Sequence, residues 1–208
     1  RTTPLVAGPR GSPLDLCLRA MEFTLGDDGG VHAPTFAQGE LSAYAHEALV
    51  IPLVLGAHAR GTPVVGVPVE YYEFRALRPE SGRLPALLGE CVLGAGAARA
   101  HGLRVGDAVT SSPEQAYDLA GTTPLRMHVV GILAAAGTAD DRAIFASLET
   151  AWTIAGLGHG HVELAKDAPL ALLLKKEQGQ VQANASVREY EEVTPQNAAS
   201  FHFHGDPA

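Results

Sequence analysis

Two pairs of histidines are the residues of this 208-residue sequence whose spacing could most directly do chemistry. His159 and His161 stand in a glycine-rich stretch, and His202 and His204 stand near the end of the chain. Residues two apart on an extended segment point to the same face, so both imidazoles of a pair can bind one metal ion. We therefore predict these four histidines as candidate metal ligands, with zinc, copper or nickel as ions that imidazole accepts.

Each histidine pair needs further ligands to complete a tetrahedral zinc site. The other pair could supply them, or a carboxylate such as Glu163 or Asp206 could do so. In the structural alternative, the first pair is solvated in a loop and the second packs between Phe201 and Phe203. Both interpretations stand as hypotheses at this point.

A second candidate site is the pair of adjacent carboxylates in residues 137–142, GTADDR. Paired carboxylates can do acid–base work, and together with a histidine they would suggest a hydrolase. On an extended strand, however, Asp140 and Asp141 would point to opposite faces and would not converge on one substrate. We favour a polar turn in which an aspartate accepts backbone N–H groups and Arg142 makes an ion pair.

Gly94 and Gly96 follow a predicted strand and open a predicted helix, which is how a dinucleotide-binding fingerprint begins. Arg99 stands where the third glycine or alanine of that fingerprint should be, and no acidic residue ends a following strand about twenty positions on. Tight packing of helix against sheet explains both glycines more simply. The sequence contains no G-x-S-x-G elbow, Walker loop or H-E-x-x-H helix.

Composition limits the classes of protein that fit. The net charge is −8 and the basic residues are scattered, which argues against a nucleic-acid partner. No apolar run approaches the ~18 residues that cross a bilayer. The chain starts at Arg1 without a signal peptide, as expected of an excised soluble piece. We predict that the two cysteines, Cys17 and Cys91, are buried free thiols, although an oxidising compartment would permit one disulfide.

Apolar periodicity and capping residues predict the elements that position these side chains. The central stretch predicts a strand at residues 91–93, a helix at 95–101 ended by Gly102, and strands at 108–110 and 127–133. Strands and helices in this order favour a mixed α/β (α+β) domain with mixed sheets and with helices on one side.

Elements on either side of the centre follow from the same signals. Ser12 predicts the start of a helix, and residues 49–55 and 62–74 predict two strands, the first at a sheet edge or with a bulge because of its proline. Ser147 predicts a helix that ends at Ile154. The first helix has an apolar stripe formed by Leu14, Cys17, Leu18 and Met21.

The central stretch also carries a resemblance to a known family. Its pattern, LGxxxAxxxGLxVGDxV followed by VVGIL and GTxDDRAIFxSLET, resembles the extracytoplasmic core domain of FtsX-like, MacB-type ABC transporter permeases. Residues 6–16 and 200–206 fit the same family. The resemblance implies a two-lobed domain placed between the first two transmembrane helices of a permease. We predict one lobe from residues 1–75 with 165–208 and the other from 76–164.

The resemblance implies a role in transport without catalysis. The domain would face the periplasm from the bacterial inner membrane, in a homodimer or a paired permease, and a separate cytoplasmic ATPase subunit would bind the ATP. It would couple ATP hydrolysis to export, substrate shuttling or mechanical signalling, with a periplasmic protein as a further partner. The alternative is a periplasmic zinc-binding module that uses the four histidines.

Overall fold

The computed structural model describes residues 6–8, 12–23, 49–112, 124–160, 173–177, 180–183 and 190–203. In these residues the chain has the mixed α/β fold that the sequence predicts. The helices are α1 (Pro13–Glu22), α2 (Val69–Phe74), α3 (Ala95–His101) and α4 (Leu148–Ile154). The strands are β1 (Val54–Ala59), β2 (Thr62–Gly66), β3 (Pro79–Gly82), β4 (Glu90–Leu93), β5 (Ala108–Thr110), β6 (Arg126–Leu133), β7 (Ile144–Ala146), β8 (Gly158–Gly160), β9 (Leu173–Glu177), β10 (Gln180–Ala183) and β11 (Phe201–Phe203).

One mixed sheet contains seven of these strands, and its main path runs β1-β2-β7-β4-β6-β3. β4 lies near the centre, parallel to β6 on one side and antiparallel to β7 on the other. The far edge of β6 is shared by β5 along its first half and β3 along its second. β8 with β11, and β9 with β10, form separate two-stranded sheets.

The seven-stranded sheet takes strands from both of the predicted lobes, because β2 pairs in parallel with β7. The division into residues 1–75 with 165–208 and residues 76–164 stays a prediction. None of the described helices combines the length and the hydropathy that a membrane-spanning segment requires.

Side chains of the central strands alternate between two hydrophobic clusters, one on each face of the sheet. Leu93 and Ile144 belong to one cluster, to which α3 and α4 also contribute. Val92 and Phe145 belong to the other, which α2 and Phe23 complete. The prediction of helices on one side only is therefore wrong, because helical residues cover both faces.

α2 is a helix that the sequence prediction misses. The predicted strand at residues 62–74 ends at Gly66, and Pro68 occupies the N-cap position of the helix that follows. Tyr71 and Tyr72 are adjacent and both buried, and each packs its ring against a phenylalanine of β7 at 5.6 and 6.2 Å between centres. Packing of two neighbouring aromatic side chains on one surface requires a helix here, since a strand would turn them to opposite faces.

The other strand predicted upstream, at residues 49–55, is displaced along the chain. β1 begins at Val54, and its register with β2 is shifted between Val54 and Ala57. β1 lies at the end of the main strand path. An edge position and an irregular register are what Pro52 predicts in this segment.

α1 begins as predicted, with the Ser12 hydroxyl accepting a hydrogen bond from the Asp15 backbone N–H at 3.4 Å. Its predicted stripe does not face the core, however, because Leu14 is 66% exposed and Cys17 is also exposed. The helix ends at Phe23, whose buried side chain joins the cluster under α2. The exposed residues of the stripe are Leu14, Cys17, Leu18 and Met21.

The two cysteines therefore differ from the prediction in one respect. Both are free thiols, but only Cys91 is buried, while Cys17 lies on the exposed face of α1. Burial raises the pKa of the Cys91 thiol to about 12, so this group stays protonated and unreactive in the folded protein.

α3 lies unusually close to the loop between β6 and β7, and its glycines make that approach possible. A Cβ atom on Gly94 would lie 2.2 Å from the Asp140 backbone oxygen, and one on Gly96 would lie 2.8 Å from the Asp141 oxygen. Gly102 ends the helix at φ 63°, in the left-handed conformation that glycine adopts most easily. Close packing, as predicted, accounts for both glycines of the fingerprint-like segment.

Replacing Gly94 by alanine is expected to destabilise the protein by about 1–3 kcal/mol, because the added methyl group collides with backbone that cannot move aside freely. Chemical denaturation of the isolated domain measures this change. Gly102→Asn is the matched control, since no atom lies within 4 Å of its Cβ position and asparagine tolerates the left-handed conformation. Equal stability of Gly94→Ala and the unchanged protein would contradict the close packing of α3.

Candidate functional site

β8 and β11 pair antiparallel and bring the two histidine motifs together. His159 of the first motif lies directly opposite His202 of the second, and each glycine of β8 lies opposite a phenylalanine of β11. We call this pair of strands the histidine ribbon. The alternative hypothesis, in which the first pair lies in a loop, does not describe His159, because Gly158–Gly160 is a strand.

Glycine and phenylalanine fit each other on one face of the histidine ribbon. A Cβ atom on Gly158 would lie 2.4 Å from the Phe203 ring, and one on Gly160 would lie 2.8 Å from the Phe201 ring. The two rings thus cover backbone that has no side chain of its own, an arrangement that fixes strand register. Because side chains alternate along a strand, the histidines project from the other face.

The phenylalanines also attach the ribbon to the rest of the protein. The Phe203 ring packs edge-on against Trp152 of α4, with 6.1 Å between ring centres. Phe201 stacks on Tyr190 at 6.1 Å and contacts the hydrophobic cluster beneath α3 and α4. The Tyr190 backbone N–H donates to the Gly160 carbonyl at 3.0 Å. The hypothesis that a histidine pair packs between Phe201 and Phe203 does not describe His202, which is exposed.

The two imidazole rings of the ribbon are in contact. The ring centres of His159 and His202 are 4.7 Å apart, and the ring planes make an angle of 73°. His159 is half-buried and His202 is exposed, so an ion can reach both from solvent. The His202 Nδ1 atom lies 3.4 Å from the Ser200 carbonyl oxygen. Chemically, the pair offers two neighbouring nitrogen ligands on a paired backbone.

Not every predicted ligand can be placed. His161 and His204 lie outside the described residues, as do the carboxylates of Glu163 and Asp206. Within the described ranges, no group of three or more His, Cys, Asp or Glu side chains could hold a metal ion. The structure thus joins one histidine from each motif across the ribbon. The sequence prediction paired the histidines within each motif and offered the other pair as further ligands.

The carboxylates of the second candidate site lie in the 3-10 turn Ala139–Arg142, not on a strand. The Asp141 carboxylate accepts hydrogen bonds from the backbone N–H groups of Ala136 at 2.8 Å and Gly137 at 2.9 Å. Arg142 pairs with Glu22 of α1 at 2.9 Å. The sequence prediction of a polar turn with an amide-binding aspartate and an arginine ion pair is confirmed.

Asp140 is buried and points away from Asp141 towards α2. One of its oxygens accepts from the Tyr71 hydroxyl at 2.7 Å. The other accepts from Arg75 at 2.7 Å and from the Thr138 hydroxyl at 2.5 Å. The Asp140 side chain is only 2% exposed and that of Arg75 is 18% exposed, so this is an ion pair largely shielded from water.

The surroundings of Asp140 favour its charged form. Burial alone would raise the pKa of this carboxyl, but the hydrogen bonds from Arg75, Thr138 and Tyr71 and the arginine charge hold the pKa below its usual value. Burial, followed by the hydrogen bond and charge of Asp140, raises the pKa of Tyr71. The cluster is thus a fixed carboxylate held by neutral and cationic donors.

Sequence reasoning missed Tyr71 and Arg75 as partners of Asp140. Tyr71 lies in α2 and Arg75 directly after it, in a segment whose sequence predicts a strand followed by a linker. A tyrosine and an arginine four residues apart are on one face of a helix, which is the local signal that could have paired them. That signal depends on recognising the helix first.

An open cleft borders the other side of the same region. Its volume is about 700 Å³, and its lining includes Glu22, His58, Gly96 and Arg142. Two of these, Glu22 and Arg142, already form the ion pair with each other. The rest of the lining is mostly small residues. The charges of Glu22 and Arg142 are neutralised by each other and are not left for a ligand.

Comparison with known proteins gives no match to any protein-family model and none to a curated protein. The permease resemblance consequently depends on the sequence motifs alone.

Asp140→Asn is expected to lower the free energy of unfolding by about 3 kcal/mol at pH 7, because it leaves Arg75 without its buried partner. A carboxyl whose pKa is lowered by folding contributes stability above its unfolded pKa, and that stability is lost as the pH falls through the folded value. The difference between the two proteins should therefore shrink only below about pH 4. Urea denaturation between pH 7 and pH 2 measures it.

Glu22→Gln is the matched control for this experiment, since it breaks another arginine–carboxylate pair, but one whose side chains are 69% and 45% exposed. Exposed pairs contribute about 0–1 kcal/mol, so this variant should differ little from the unchanged protein. A deficit in Asp140→Asn that is equally small would show that the buried cluster does not stabilise the fold.

Proposed function

We propose that this chain is the extracytoplasmic domain of an FtsX-like, MacB-type ABC permease, and that it transmits movement without catalysing a reaction. A separate cytoplasmic ATPase hydrolyses ATP, and the domain moves on the periplasmic side of the bacterial inner membrane. The permease acts as a homodimer or in a pair, and a periplasmic protein or the cargo receives the movement. The resemblance of residues 93–150 to that family supports the proposal.

The observation that carries the proposal is that the motif forms one connected unit. Its strands β4, β6 and β7 are neighbours in the main sheet, and α3 leads directly out of β4. Gly94 and Gly96 let α3 lie against the turn that contains Asp140 and Asp141. A unit connected in this way suits a domain that passes on a displacement.

The first residue of β4, Glu90, attaches the start of the strand to the preceding loop. The Glu90 carboxylate binds Arg83 with both oxygens, at 2.7 Å for one of them, and accepts from the backbone N–H groups of Ala86 and Leu87 at 2.9 and 3.0 Å. The hydrogen bonds from Arg83 lower the pKa of this carboxyl, against the opposing effect of its burial, and the two backbone donors add to the lowering. The loop before β4 is thus attached to the strand itself.

The contacts of Asp140 and Asp141 disfavour the alternative of a hydrolase. A general base must reach the proton that it removes from a substrate. Asp140 is 2% exposed and already accepts from three donors, while Asp141 accepts from two backbone amides. Both carboxylates serve the fold, so the motif that carries the family resemblance has a structural role in this proposal.

Sequencing the gene on both sides of Arg1 and Ala208 tests the transporter proposal first. We expect an apolar span of about twenty residues before the domain and further spans after it. The full reading frame, expressed in a bacterium, should then fractionate with the inner membrane, and protease added to spheroplasts should digest this domain. A reading frame without such spans, with the product in the soluble fraction, would contradict the proposal.

A further inference from the structure

We propose that His159 and His202 form a surface site for one divalent transition-metal ion, of the zinc and copper class, that ties β8 to β11. The inference goes beyond the transporter proposal and does not depend on it, because it concerns only the geometry of the histidine ribbon. The ion joins two segments that are far apart in sequence.

The spacing of the two rings fits one shared ion. Metal–nitrogen bonds of about 2.0–2.1 Å and near-tetrahedral or square geometry put the centres of two bound imidazoles about 4.5–5 Å apart. The ring centres of His159 and His202 are 4.7 Å apart, with planes at 73°.

The backbone beneath the rings is fixed before any ion binds. His159 and His202 are direct cross-strand partners, and on the opposite face the phenylalanine rings lie over the two glycines of β8. Phe203 is in turn packed on Trp152 of α4. A chelating pair whose backbone is held in place loses less conformational entropy on binding than two histidines on a free loop.

The orientation of His202 also suits metal binding. Its Nδ1 atom lies 3.4 Å from the Ser200 carbonyl oxygen, to which an Nδ1–H group would donate. Ligating histidines commonly donate one ring N–H to a carbonyl in this way, and the other nitrogen is then the ligand. In His202, Nε2 is the atom assigned to the ion.

The chemistry of the ligands selects the class of ion. Imidazole nitrogen suits zinc, copper and nickel, whereas calcium and magnesium prefer oxygen ligands. Two protein nitrogens leave coordination positions to be filled, and in the described residues no third His, Cys, Asp or Glu completes the group. The histidine pair supplies the two nitrogen ligands that the ribbon itself offers, so the affinity of the site depends on both rings.

Calorimetric titration of the domain with zinc chloride, and separately with copper chloride, tests the site. One ion per chain is expected, bound more tightly for copper than for zinc. His159→Ala and His202→Ala should each weaken binding at least about tenfold, and the double variant should be little weaker than either single one, because chelation needs both rings. In the copper complex, electron paramagnetic resonance should show coupling to the nitrogens of two imidazoles, and to fewer in each single variant, which keeps only one ring of the pair.

Three controls show whether a change in metal binding comes from the histidine pair. His128→Ala removes a half-exposed histidine that pairs with Glu192 at 2.9 Å, and it should leave metal binding unchanged. Zinc should raise the melting temperature of the unchanged protein but not that of His202→Ala, whose exposed side chain leaves folding intact. His159→Asn replaces His159→Ala if the smaller residue destabilises the half-buried position.

Two results would overturn the proposal. One is a stoichiometry of zero for both ions in the unchanged protein. The other is binding that is the same in His159→Ala and His202→Ala but is lost when His161 or His204 is replaced, which would place the ion on different residues. Neither result bears on membrane location, so it leaves the transporter proposal to its own test.

Discussion

The Asp140 carboxylate is buried at 2% exposure, and its charge is tolerated because Arg75, Tyr71 and Thr138 all donate to it. Those donors come from α2 and from the start of the turn, so the contact holds the connection between β6 and β7 against the helix on one face of the sheet. On the other side of the same turn, the backbone of Asp140 and Asp141 lies against α3 at its glycines. One turn therefore sets the positions of α2 and α3.

The central segment could be predicted closely because its signals are local. The helix Ala95–His101 and the strand Ala108–Thr110 have the predicted bounds, since small residues, glycines and apolar runs mark each boundary within a few positions. The prediction for the α2 segment failed because the residues of Val69–Phe74 alternate weakly, as in a strand. Only packing on the sheet decides that the segment is a helix. The orientation of α1 was predicted wrongly for a similar reason, because an apolar stripe does not by itself show which side of a helix contacts the sheet; Leu14, Leu18 and Met21 are exposed.

In the candidate sites, too, local features could be predicted and tertiary contacts could not. The turn at Asp140 and Asp141 was predictable as a structural feature, but its partners on α2 were not, because they lie 65 and 69 residues away in sequence. The histidine pairs were visible in the sequence, while the pairing of His159 with His202 depends on strand register. That register follows from glycine facing phenylalanine, a fit between two distant segments that neither segment reveals alone. The contact between His159 and His202 therefore depends on a tertiary fit and not on the spacing within either motif.

We expect Asp140 and Arg75 to stabilise the fold as a single buried unit. A double-mutant cycle on the isolated domain, using Asp140→Asn, Arg75→Gln and the double variant, tests it most directly by urea denaturation at pH 7. We expect a coupling free energy of about 2 kcal/mol, with the double variant much less destabilised than the sum of the two single variants. Single-variant effects that add to within about 0.5 kcal/mol would contradict it.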